Sequence, residues 1–124
     1  MHNYKNLKIW QKARVLVKKV YLISADFPES ERFGITSQIR RAVISISNNI
    51  VEGSGRGSEN DFQRFLDYAL SSNFEVENMF YLALDLGYIN QELFEELLSQ
   101  SNELGKMIYG FKNSLNNKNI NVPI

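Results

Sequence analysis

Apolar residues return every three to four positions along four stretches of this chain, and nowhere between turns does apolar alternate with polar. That period admits helices and leaves no half-buried strand, so the core has to be built helix against helix. In the first stretch, about residues 6–26, Ile9, Trp10, Ala13, Leu16, Val17, Val20 and Tyr21 form the stripe. Phe27-Pro28 ends it, because a residue before proline is pushed out of the α region. The second stretch, about 36–53, follows Ile35 with Ile39, Ala42, Val43, Ile46 and Ile50. Ile44 and Val51, seven apart, add a second stripe and predict a contact beyond the chain's own core. The third, about 59–86, opens on "SEND", a capping-box pattern with Asp61 where Glu is usual, and closes before Gly87, expected as a left-handed cap. The fourth, about 91–115, takes Asn90 as its cap, although Gly105 and Gly110 each weaken it by about 1 kcal/mol relative to Ala. Residues 116–124, "NNKNINVPI" from Asn116, show no periodicity and are expected to form a flexible tail. The links are short and force antiparallel neighbours. The expected fold is all-α: one domain over 1–124, an up-down-up-down antiparallel four-helix bundle.

With 124 residues, 44% of them hydrophobic, the chain can fill a single core. It has no cysteine, which removes disulfides, thiolate metal sites and thiol nucleophiles and fits a reducing cytoplasm. No stretch approaches the roughly 20 apolar residues of a membrane span, and "MHNYKNLKIW" lacks the apolar centre of a secretory signal. A cytoplasmic protein without membrane partners is expected. Net charge is zero, yet residues 1–57 hold ten Lys/Arg against four acids and residues 58–124 hold four against ten. The chain is a charge dipole, +6 against −6.

Three glycines, Gly53, Gly55 and Gly57, surround Arg56 in "NNIVEGSGRGSENDF". A phosphate-binding P-loop requires Gly-Lys-Ser/Thr, and this segment has no lysine. A dinucleotide loop follows a strand, whereas Gly53 follows a helix. The glycines are therefore expected as a hinge taking positive φ between helices two and three. Arg56, beside the free N–H groups of helix three, could contact one phosphate there.

Catalysis finds little support. The one histidine, His2, lies in a terminus expected to fray, so no His-centred base stands on a rigid element. Glu75 and Glu77 resemble half a carboxylate metal site, but the Glu-x-x-His partners of a di-iron bundle are missing. A structural ion pair is expected for Glu77, and no metal or cofactor. Glu52 ends a helix, where the macrodipole disfavours an acid, and calls for Arg40, Arg41 or Arg56 as a partner. Asn49, Ser72 and Asn73 project near core-facing stripes and should set register through hydrogen bonds. The strongest functional lead is basic. Lys5, Lys8, Lys12 and Lys19 fall within a sector of about 60° outside the apolar stripe of helix one, and Arg40, Arg41 and Arg56 belong to the same positive half. These cations could equally form a solvated face, or meet the acidic half of a second copy. Such a contact is heterologous and closes a ring or grows a filament.

The blocks "LKIWQKARVLVKKVY", "FGITSQIRRAVISISNNIVEGSGRGSENDFQRFLDYAL" and "SSNFEVE" strongly resemble the four-helix-bundle family of 23S rRNA intervening-sequence proteins, over about residues 5–115. "TSQIRRA" and "NIVEGSGRGS" are specific in order and spacing. The family includes the accessory variability proteins of diversity-generating retroelements. The resemblance implies a bacterial, non-enzymatic homo-oligomer, with a pentameric barrel expected. It also implies association with RNA or DNA through a basic face, and a reverse transcriptase or other protein as partner. Carried onto this chain, the family's basic positions fall on Lys8, Lys12, Arg40, Arg41 and Arg56, and its Asn-x-x-Glu-Gly segment on Asn49, Glu52 and Gly53. The chain departs from the family at Ser47, where proline is common, at Ser71, where glycine is, and in its neutral net charge. The competing expectation is a protein–protein adaptor whose basic face serves assembly or an acidic partner.

Overall fold

The structure, a computed structural model, describes residues 2–120, with side chains as far as Asn116. Four helices follow one another: α1 (Lys8–Ser24), α2 (Ile35–Ser54), α3 (Glu59–Asp85) and α4 (Gln91–Ile120). A 3-10 turn, Tyr4–Asn6, precedes α1, and a second, Glu29–Glu31, lies in the α1–α2 link.

Cross-helix contacts give the directions. Arg40 near the start of α2 meets Ser24 at the end of α1, and Gly53 at the end of α2 lies against Phe62 near the start of α3. Asn73 of α3 bonds Ser101 of α4, while Lys12 and Lys19 of α1 reach Glu103 and Glu96 of α4. Numbers fall along one helix as they rise along its neighbour. Each helix packs on the next and α4 returns to α1, so the fold is an up-down-up-down antiparallel four-helix bundle. Ile39, Ile46, Ile50, Phe62, Phe80, Leu97 and Ile108 are fully enclosed, each contributing about 1.5–3 kcal/mol by leaving water.

The local start and stop signals work as chemistry predicts. Ser58 Oγ accepts from the Asp61 N–H at 3.1 Å, and Asn90 Oδ1 accepts from the Leu93 N–H at 2.8 Å. Gly87, at φ 77°, closes α3. The Tyr88 N–H bonds the Ala83 carbonyl and the Gly87 N–H that of Leu84, the paired bonds of a Schellman cap. Asp61 does not complete its box: its carboxylate holds Arg64 at 3.2 Å instead.

Two ends differ from expectation. Helix α4 runs to Ile120, past the predicted end at 115. Neither proline nor glycine stands between Phe111 and Pro123, and fully buried Leu115 fastens the last turns to the core. Residues 116–120 are thus helical, and residues 121–124 of the predicted tail lie outside the described residues. His2 does not fray. Its N–H bonds the Ser54 carbonyl at 2.9 Å, its ring nitrogen Nε2 lies 3.0 Å from Glu59, and its ring packs on Phe62 and Phe111. At the opposite end Tyr88 Oη donates to Glu31 at 2.6 Å. That bond, followed by burial and the Glu31 charge, raises the Tyr88 pKa above its ordinary value. Among the described residues no helix is long and apolar enough to cross a membrane.

Candidate nucleic-acid interface

The glycine segment is a close approach before it is a hinge. Gly53 belongs to the last turn of α2 and is buried. A Cβ there would stand 2.7 Å from Phe62 Cδ1 and 2.8 Å from Phe65 Cβ. The positive φ predicted for these glycines is absent: among the described residues Gly87 alone has it, and Gly55 caps α2 at φ −89°. The chain turns here by ordinary helical termination, and Gly53 is small because α3 comes so near.

That closeness fixes Phe65, and Phe65 in turn carries cations. The Arg56 guanidinium carbon lies 4.6 Å from its ring centre and that of Arg64 lies 5.0 Å away. Tyr68 stands at right angles to it with ring centres 5.6 Å apart. Tyr68, then Asp61, raise the Arg64 pKa above its usual value. The sequence signal was available, because Asp61, Arg64, Phe65 and Tyr68 are three and four apart and share a helix face. The start of α3 is already supplied with negative charge by Glu59 and Asp61.

The other predicted residues scatter. Arg40 and Arg41 are adjacent yet diverge. Arg40, half-buried, donates through Nε to Ser24 Oγ at 2.8 Å and through Nη2 to the Tyr21 carbonyl at 3.3 Å, with its guanidinium 4.6 Å from the Tyr21 ring centre. It ties α2 to α1. Arg41 is exposed and lines a groove of about 370 Å³ between α2 and α3, with Gln38, Ser45, Ser72 and Glu75. A second hollow of about 520 Å³ continues it past Asn48 and Asn49 to Glu52. Asn49 Nδ2 donates to the Ser45 carbonyl and hydroxyl, and Ser72 Oγ bonds Ser45 Oγ at 2.9 Å. Arg41, Asn49 and Glu52 therefore share one groove. Among the described residues Glu52 pairs with none of the arginines proposed for it, and Glu77 makes no ion pair. Glu77 instead edges a groove between α3 and α4 lined by Leu70, Phe74 and Tyr109.

The lysine stripe is partly answered from within. Lys12 lies 3.4 Å from Glu103 and Lys19 2.8 Å from Glu96, because α4 returns beside α1. Lys8 is exposed and has no carboxylate in ion-pair range among the described residues. Nor is there, among these residues, a cluster of three or more His, Asp or Glu placed to hold a metal.

Among curated proteins none matches the chain. A solved structure of a protein of unknown function from the S23 ribosomal protein family, from Bacteroides thetaiotaomicron, superposes with a TM-score of 0.79 at 24% identity. The match covers 85% of this chain and 95% of that one, and it shows a shared fold. The family model of the 23S rRNA-intervening sequence protein matches residues 5–110, which takes in α1, α2, α3, the Arg41 groove and the glycine segment. With the bundle and these motifs in place, the chain belongs to the 23S rRNA-intervening sequence protein family.

Proposed function

We propose that the protein is a non-enzymatic, homo-oligomeric accessory protein that binds nucleic acid through a basic face, leaving any chemistry to a partner. The observation that carries this reading is that Lys8, Arg41 and Arg56 are exposed cations with no carboxylate partner among the described residues. A phosphate can meet each of them without breaking an existing ion pair. Lys12 can join, since its pair with Glu103 is more than half exposed on both sides and such pairs are worth about 0–1 kcal/mol. A neutral single copy is a weak polyanion binder. A closed ring, a pentamer in this reading, repeats the three cations around its circumference and concentrates them.

Fluorescence anisotropy with labelled structured RNA and DNA duplex across salt concentrations tests it. Affinity is expected to fall steeply with salt, and Arg41→Ala to reduce the slope of log affinity against log salt by about 1. Arg40→Ala should leave that slope unchanged and destabilise the fold by about 1.5 kcal/mol, since it breaks a charged hydrogen bond between α1 and α2. Absence of binding at low salt overturns the nucleic-acid reading.

One observation favours the adaptor as the second reading. Phe74 is 70% exposed and Tyr109 57% exposed beside the α3–α4 groove, an apolar strip suited to another protein surface.

A further inference from the structure

Four side chains at the α2–α3 tip form a unit of which the basic-face reading uses only Arg56. Phe65 is almost fully buried and two guanidiniums, of Arg56 and Arg64, lie over its ring. Tyr68, 45% exposed, stands perpendicular to it. A guanidinium seated on an aromatic ring is held as a plane, and such a plane can stack an unpaired base while its N–H groups reach phosphate. Three carboxylates of α3 near the tip are already engaged, while Glu52 at the end of α2 has no ion-pair partner among the described residues. Asp61 holds Arg64, Asp67 holds Lys112 at 2.6 Å, and Glu59 bonds His2. Arg56 keeps its positive charge unpaired among the described residues.

We infer that this tip is a stacking platform for single-stranded nucleic acid, with Tyr68 taking one unpaired base and Arg56 the adjacent phosphate. The inference rests on the nucleic-acid reading above and narrows it to a strand state. Bases inside a duplex are stacked on one another and offer no ring face to an exposed tyrosine, whereas every unpaired base does. The close approach at Gly53 is what makes the platform rigid, since it fixes Phe65 and hence the two arginines.

The test measures anisotropy of labelled oligouridylate, alone and as its duplex with oligoadenylate, at one salt concentration. The single strand is expected to bind more tightly. Tyr68→Ala should weaken single-strand binding by about 5- to 100-fold and leave duplex binding unchanged, while Tyr68→Phe keeps the wild-type affinity. Circular dichroism melting checks that Tyr68→Ala is folded, and Tyr68→Leu, which keeps the bulk without the ring, is expected to show the same loss. Wild-type affinity in both Tyr68→Ala and Tyr68→Leu overturns the platform and leaves the basic face standing. So does equal weakening of single strand and duplex. Failure of every probe to bind overturns both.

Discussion

Gly53→Ala is expected to destabilise the protein by about 2 kcal/mol, a single methyl group forced into a packed helix contact. Two terms compete. Alanine is the better helix former by about 1 kcal/mol, and Gly53 is helical with an ordinary φ, so the substitution gains that much. Against it, the new Cβ would sit 2.7 Å from Phe62 Cδ1 and 2.8 Å from Phe65 Cβ. Phe62 is 1% exposed and its ring packs on His2 and Phe111, so it shifts only by displacing them. Phe65 Cβ is fixed to the backbone of α3, so relief requires the helices to separate. Overpacking of this kind costs typically 1–3 kcal/mol and occasionally more, and at this backbone contact it outweighs the propensity gain. The melting temperature should fall by about 5–10 °C. Gly110→Ala is the control, because a Cβ there meets nothing within 4 Å. It should stabilise α4 by about 0.5–1 kcal/mol. If the two variants melt alike, close approach is not why position 53 is a glycine.

The same residue illustrates what a sequence can and cannot convey. Ser58, Gly87 and Asn90 were legible because a cap is settled within a few residues of itself. Gly53 was legible as a helix-ending glycine but not as the floor under Phe65, since that depends on which surface of α3 comes to rest on it. Arg40 and Arg41 make the point for the candidate interface. Their types and positions could be read, but adjacent helical residues point about 100° apart. Only the arrangement of neighbours sends one to Ser24 on α1 and the other into the α2–α3 groove. The lysine stripe of α1 and the glutamates of α4 were both visible as charge. Their meeting at Lys12–Glu103 and Lys19–Glu96 follows from chain direction and register. His2 gave no signal, because what holds it is the pocket edge of Ser54, Glu59, Phe62 and Phe111.

Asn73→Ala should cost about 2–4 kcal/mol, because it strands buried polar groups on the facing helix. Asn73 Nδ2 donates to the Ser101 carbonyl at 2.9 Å, and Ser101 Oγ donates back to Asn73 Oδ1 at 2.9 Å. Asn73 is 6% and Ser101 0% exposed, so in the intact protein water meets this pair only from the α3–α4 groove that both residues line. Ser101→Ala should cost less, about 1–2 kcal/mol, as it leaves only Asn73 Oδ1 unmatched. In Asn73→Ala with Ser101→Ala the stranded hydroxyl is gone. The double variant should therefore be more stable than the summed single losses predict, by about 1 kcal/mol or more, read from denaturant unfolding of all four proteins. Gly105 belongs to the same arrangement, since a Cβ there would stand 3.1 Å from Asn73 Nδ2. A coupled result makes the pair a register lock: sliding α4 by one turn along α3 would bury both groups unmatched, whereas the apolar stripes would tolerate the slip far better. An additive result would mean that apolar packing alone sets the register of α4, and with it the pairing of its glutamates with the α1 lysines.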